Sequence, residues 1–162
     1  IRDGRYPEML EAGVTVALGS DGWGGKSDIA RQAFLAATLF REFRNEMPVI
    51  TADCALEMAT IHGARALGLQ DEVGSLEVGK RADIVIHSTN RPGPRARDPV
   101  HRLIYYWQSE TVETVLVEGE AIYDRCHFTR FDERDALTRI DAAASVREQA
   151  IDVRGSPWPI VE

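Results

Sequence analysis

The sequence predicts a mixed α/β chain: a buried strand that feeds a loop and a helix, a second helix, and then a small β region. Three observations predict it. Residues 14–18, VTVAL, form an apolar run with no polar alternation apart from threonine, the mark of a strand covered on both faces, as in parallel sheets. The run stops at Ser20 and Asp21 and opens into the glycine-rich loop GWGGKSD, after which a helical pattern begins. From about residue 69 the pattern changes to glycine-punctuated, β-branched segments.

Each element follows from local chemistry. In IARQAFLAATLFREFRN, Ile29, Phe34, Leu35, Leu39, Phe40 and Phe43 recur near helical spacing, with Ser27 or Asp28 available as a cap and Pro48 beyond the end. A second helix over 51–67 is signalled by Thr51 as N-cap and Gly68 as its close, and its many alanines permit close packing. Residues 82–87 read as a strand, and TVETVLVEGEAIYD as two short strands around Glu118-Gly119, a hairpin signal. Between them, STNRPGPRARDPVHRL reads as a proline- and arginine-rich loop. Beyond Phe131 a polar, alanine-bearing stretch reads as a surface helix before the tail SPWPIVE.

Composition narrows the function. At 162 residues, 44% hydrophobic and 28% charged, the chain has room for one ordinary domain or for pieces of something larger. No window approaches a membrane span. A formal charge of −7 with scattered basic residues argues against nucleic acid and for small-molecule chemistry. Cys54 and Cys126 stand far apart, which suggests reduced thiols in a cytoplasmic setting. The opening IRDGRYPEMLEAGV has no initiator methionine, no signal pattern and no strand before its first helix-like turn, so the chain is expected to be cut from something longer.

Asp21 is the candidate functional residue, because parallel sheets and barrels assemble their chemistry just past the carboxyl ends of strands. The plain alternative is that GSDG is a turn and nothing more. Trp23 and Lys26 either line a substrate pocket or are exposed loop side chains. Arg65, Arg81 and Asp83 are expected to be structural, as a solvated helix face and a turn pair docking the β region. Arg91, Arg95, Arg97 and Arg102 either attract an anionic group or sit in a solvated loop, and Tyr105, Tyr106 and Trp107 serve either a subunit interface or the core.

Three phrases carry a family resemblance: GVTVALGSDG at 13–22, ALEMATIHGARALGL at 55–69 and VGSLEVGKRADIVIHS at 73–88, continued by VETVLVEGEAIYD at 112–124. In this order and spacing they resemble the carboxyl-terminal third of the amidohydrolase superfamily, in the branch of cytosine, guanine and adenosyl-type deaminases and triazine chlorohydrolases. The resemblance covers about residues 7–128. It implies the end of a (β/α)8 TIM-like barrel plus part of a small β-sandwich domain. Residues 1–68 would be the last barrel strand and helices, 69–128 the composite sandwich segment, and 129–162 a carboxyl-terminal helix and tail.

Within that resemblance, residues 14–19 are the eighth barrel strand and Asp21 the carboxylate that binds the catalytic metal or sits against it. The implied cofactor is one divalent metal, zinc or alternatively iron. The implied reaction is hydrolytic deamination of an amino-substituted nitrogen heterocycle, with displacement of chloride or an alkylamine as the alternative within enzymes. The family's His-x-His pair and its single histidines after the fifth and sixth strands are absent, since His62, His87, His101 and His127 follow no barrel-like strand. The remaining ligands and the other strands are therefore expected on a missing amino-terminal part, in a homo-oligomeric enzyme. A catalytically silent folding or assembly module is the reading from another class.

Overall fold

The computed structural model describes residues 4–21, 27–44, 50–89, 98–106 and 109–150. Two compact units are resolved, Ile1–Cys126 and His127–Glu162.

The first unit begins with helix α1 (Tyr6–Glu11), which has Pro7 in its first turn, where a missing amide hydrogen costs nothing. It ends at Gly13, whose φ of 77° lets the Gly13 and Val14 amides turn back onto the Leu10 and Met9 carbonyls. Helix α2 (Ile29–Arg44) follows, capped by Asp28, which accepts from the Arg31 amide at 3.2 Å. The cap and the helix stand where the sequence predicts them. Arg44 in the last turn reaches back to Glu8 of α1 at 2.6 Å.

The helix predicted over 51–67 is interrupted. It forms α3 (Ala52–Ala59), with Thr51 capping the Cys54 amide at 3.2 Å, and α4 (Ile61–Ala66), with Thr60 between them at φ −131°, ψ −96°. The Thr60 hydroxyl donates to the Leu56 carbonyl at 2.7 Å, as the Thr38 hydroxyl does to the Phe34 carbonyl within the unbroken α2. Gly68, at φ 73°, closes α4 as expected, with the Leu69 amide on the Ala64 carbonyl at 2.8 Å. Helix α5 (Pro99–Tyr106) replaces the end of the expected loop and carries His101. Asp98 caps it by accepting from the Val100 amide at 2.9 Å, and proline at the first position is pre-set for the helix.

The core lies among α2, α3 and α5. Ala33, Ala37 and Phe40 meet Ile50, Ala52, Ala55, Met58 and Ile104, and Leu10, Val16, Leu18 and Tyr105 pack around them. Alanine at the central contacts lets the helix axes approach closely, as the composition of 51–67 implies. Tyr105 meets Phe34 edge-on at 6.3 Å and so belongs to the core side of its two expected roles.

The sheet is antiparallel, β1 (Ile84–His87) beside β2 (Val112–Val117) beside β3 (Glu120–Asp124). Glu118 and Gly119, at φ 52° and 82°, form the two-residue hairpin turn of the type whose twist suits antiparallel strands. No residue of these strands is fully buried, and Val85 and Ile86 are about half exposed. The second unit holds strand β4 (His127–Phe128) and helix α6 (Glu133–Ala150), capped by Asp132 on the Asp135 amide at 3.0 Å. The described part of α6 is almost wholly exposed, as expected of a surface helix. Among the described residues no helix is long and apolar enough to cross a membrane.

Between α4 and β1, residues 69–83 fold around Lys80, whose ammonium is engaged by the Gln70 carbonyl, the Ser75 hydroxyl and the Glu77 carboxylate. Gly74 backs onto the start of α4. A Cβ there would lie 2.7 Å from Ala64 Cβ and 3.0 Å from Ile61 Cα, at a φ of 91°. Gly79 has a similar φ of 98° and open space around it. Gly74→Ala is expected to lower stability by roughly 2 kcal/mol or more, and Gly79→Ala by only the backbone share, about 1 kcal/mol. Denaturant unfolding of the two variants checks the difference.

His87, half-buried at the end of β1, bonds Thr111 Oγ1 at 2.8 Å. Burial holds its imidazole below the ordinary value of 6.5, against the opposing pull of the Asp28 carboxylate. The unfolded chain therefore takes up the proton first as pH falls. Stability is full above 6.5 and declines as pH drops through the lowered folded value. Thermal midpoints measured from about pH 8 to about pH 5 should show this decline, and His87→Asn should flatten it.

Candidate functional site

Asp21 ends a run that the sequence predicts as a strand, and among the described residues that run has no strand partner. Residues 14–21 form neither a strand nor a ladder among the described residues. No side chain in the run is fully buried, and Val14 is 45% exposed, so the two covered faces implied by the apolar sequence are not formed here. A strand needs edges to pair with, and the sheet of this chain is built by other residues.

The run is held from one side. The Val14 amide donates to the Met9 carbonyl at 2.9 Å, and the Leu18 amide to the Met58 carbonyl at 3.1 Å. His62 Nδ1 lies 3.3 Å from the Val16 carbonyl. Val16 and Leu18 pack on the helical core. Three residues on, Asp21 is exposed and has φ 53°, the left-handed region that non-glycine residues seldom adopt. Aspartate tolerates it better than bulkier residues, and such conformations gather at functional sites.

The other candidates are distributed as follows. Trp23 and Lys26 lie outside the described residues, as do Arg91, Arg95, Arg97 and Trp107. Arg65 is on the exposed side of α4. Arg81 and Asp83 are structural, as expected: Arg81 pairs with Glu72 and with Glu118 at 2.7 Å, and Asp83 accepts from the Glu118 amide at 2.7 Å. Tyr106 is exposed, and the His101 ring lies tilted against Tyr105 with ring centroids 4.5 Å apart. Both cysteines are free, and burial pushes the Cys54 thiol up, away from the reactive thiolate.

A hollow of about 630 Å³ is lined by Ile61, Arg65, Asp71, Ser75 and Lys80 among others and does not include Asp21. With Lys80 already engaged by three acceptors, it offers structure rather than chemistry. Among the described residues no three His, Cys, Asp or Glu side chains converge to hold an ion. A catalytic zinc centre takes about three protein ligands and an open position, so these residues do not make one by themselves. The contact of His62 with Val16 was not legible in the sequence, because it joins residues 46 positions apart.

The helical layer, the run that ends at Asp21 and the hairpin sheet can be compared with known proteins. The 5-methylthioadenosine/S-adenosylhomocysteine deaminase of Moorella thermoacetica is 35% identical over 136 residues, which are 82% of this chain and 32% of that protein. An adenosine deaminase from Xanthomonas campestris, solved with bound zinc, superposes with a TM-score of 0.81 at 29% identity, over 90% of this chain and 34% of that one. Atrazine chlorohydrolase from Arthrobacter aurescens TC1, complexed with zinc, superposes with a TM-score of 0.65 at 28% identity, over 86% of this chain and 31% of that one. The chain thus spans about a third of the length of the relatives it matches. The amidohydrolase family matches residues 5–122, from before α1 into β3, the span that contains both the Asp21 run and the hairpin, and the chain belongs to that family.

Proposed function

We propose that residues 1–162 are the carboxyl-terminal segment of a metal-dependent amidohydrolase that deaminates an amino-substituted nitrogen heterocycle by hydrolysis of a C–N bond. In this reading 14–19 is the last strand of a (β/α)8 barrel completed by polypeptide outside these residues. Residues 69–128 are part of a β-sandwich, and 129–162 form a carboxyl-terminal helix and tail. The observation that carries the reading is the position of Asp21: an exposed carboxylate, held in the left-handed region, at the end of the apolar run in a chain matched by the family over 5–122.

The cofactor is a divalent metal, zinc in the first instance and iron as the alternative, with its other ligands outside this chain. Such an ion lowers the pKa of bound water from about 15.7 to about 7. Asp21 supplies one carboxylate at that centre, accepts a proton from the attacking water on an Oδ atom and passes it to the departing nitrogen. Trp23, two residues later, is assigned to the substrate pocket. The exposed half of the sheet and the run without a ladder support dependence on further polypeptide. The enzyme is placed in the cytoplasm as a homo-oligomer.

The likeness to 5-methylthioadenosine/S-adenosylhomocysteine deaminases favours an adenine nucleoside as substrate, so 5-methylthioadenosine and S-adenosylhomocysteine are the first compounds to assay for ammonia release. Displacement of chloride or an alkylamine is the second reading, favoured by the likeness to atrazine chlorohydrolase. Chloride release from a chlorotriazine without ammonia release from any aminopurine would select it. Hydrolysis of neither, by the complete protein loaded with zinc or iron, would leave the silent assembly module.

In the complete enzyme, Asp21→Asn is expected to keep the fold and to lower kcat by about 10²–10⁴. Steady-state kinetics beside circular dichroism checks this, and near-normal turnover would remove Asp21 from the reaction. The 162-residue chain expressed alone is expected to hold far less than one equivalent of zinc after dialysis. Elemental analysis giving one tightly bound ion per chain would show that the ligand set is complete within it.

A further inference from the structure

The chemistry assigned to Asp21 depends on where its carboxylate is presented, and the chain arrives there along a run with no ladder among the described residues. His62 grips that run. A carbonyl only accepts, so the 3.3 Å contact with the Val16 oxygen requires the hydrogen on Nδ1 and thereby sets the tautomer. The other ring nitrogen, Nε2, lies 3.7 Å from Glu57 Oε2, beyond hydrogen-bond distance. The side chain is 14% exposed, too covered to be a solvated surface histidine. A covered imidazole must find an acceptor for its N–H. This one takes its acceptor from the segment that leads to Asp21.

We propose that His62 is a positioning residue for Asp21. Its Nδ1–H bond to Val16, together with the Leu18 amide on the Met58 carbonyl, fixes where the run leaves the helical layer and so where the left-handed turn at Asp21 is launched. His62 touches no reacting atom. The inference rests on the reading of Asp21 as the proton-transferring carboxylate, and the physical reason for its effect is that displacing a reacting group by an ångström costs on the order of a hundredfold in rate.

The test is kinetic, on the complete enzyme, with ammonia release from 5-methylthioadenosine as the readout. His62→Leu removes the donor and is expected to lower kcat about tenfold with KM within about twofold. His62→Asn places an amide donor near the Nδ1 position and should restore kcat to within about threefold, whereas His62→Gln, whose amide reaches the Nε2 position, should not. In the Asp21→Asn background, His62→Leu should bring no further loss, because residues acting as one unit are not additive.

Unchanged kcat in His62→Leu would overturn the inference. So would a loss that Asn and Gln restore equally, or one that persists in full in the Asp21→Asn background, since either marks packing rather than positioning. If His62→Leu fails to fold, the Asn and Gln pair still decides. Asp21→Asn alone, measured in the same series, separates the two levels: normal turnover there removes the reading of Asp21 itself, whatever His62 does.

Discussion

The arrangement depends on the break between α3 and α4. In an unbroken helix the Met58 carbonyl would accept from the amide four residues on, that of His62. The ladder stops at Thr60, whose backbone at φ −131°, ψ −96° leaves the helical range and whose amide takes the Glu57 carbonyl at 3.1 Å. Met58 is left as one of the orphan carbonyls of a helix end, and the Leu18 amide satisfies it. The same break sets α4 so that the His62 side chain meets Val16. A backbone departure at one residue thus turns a helix terminus into a docking edge for the segment that carries Asp21.

That edge is narrow, and its economy explains the exposure around it. Val16 and Leu18 face the alanine-lined helices and are partly covered, while Val14 and Asp21 stay open. An apolar run with unpaired backbone on its far side is stable only against partners, since an unmade hydrogen bond in a covered place costs about 1–3 kcal/mol. Close alanine packing beneath the run keeps the base rigid. A carboxylate presented from such a base has its direction decided by backbone geometry, which suits a group that must hand over a proton at a defined place.

Much of the fold was legible wherever the deciding interaction is local. Asp28 and Thr51 cap their helices, Gly68 ends α4, and Glu118-Gly119 turns the hairpin, all from signals confined to a few neighbouring residues. Misreadings arose where two signals competed or where the partner is distant. Thr60 sits mid-pattern among apolar positions spaced for one helix, and only its backbone at φ −131°, ψ −96° reveals the interruption. The start of α5 was masked by prolines and arginines upstream, although Asp98-Pro99 is a cap followed by a proline suited to a first turn. The 14–18 run has the composition of a strand, but a strand is completed by its neighbours, and its own residues cannot supply them. For the site, the position of Asp21 was legible; its left-handed backbone and its tie to His62 were not, because both come from packing across long sequence separations.

The pairing of the phrases KRAD and VEGE has a physical cause of the same kind. Glu118 occupies the left-handed region at φ 52°, which costs a non-glycine residue about 1–2 kcal/mol. Asp83 accepts the Glu118 amide, the Ala82 carbonyl accepts the Gly119 amide at 3.0 Å, and Arg81 holds the Glu118 carboxylate while pairing with Glu72. Three consecutive residues before β1 therefore support a turn between β2 and β3, more than thirty positions later, and offset its strain. Because Arg81 also holds Glu72, the hairpin is tied to the segment that follows α4 and, through Gly74 packed on Ile61 and Ala64, to the helix that carries His62. The β region is thus anchored beside the helix that grips the Asp21 run, which gives a mechanical reason for the motifs of both regions to occur in one chain.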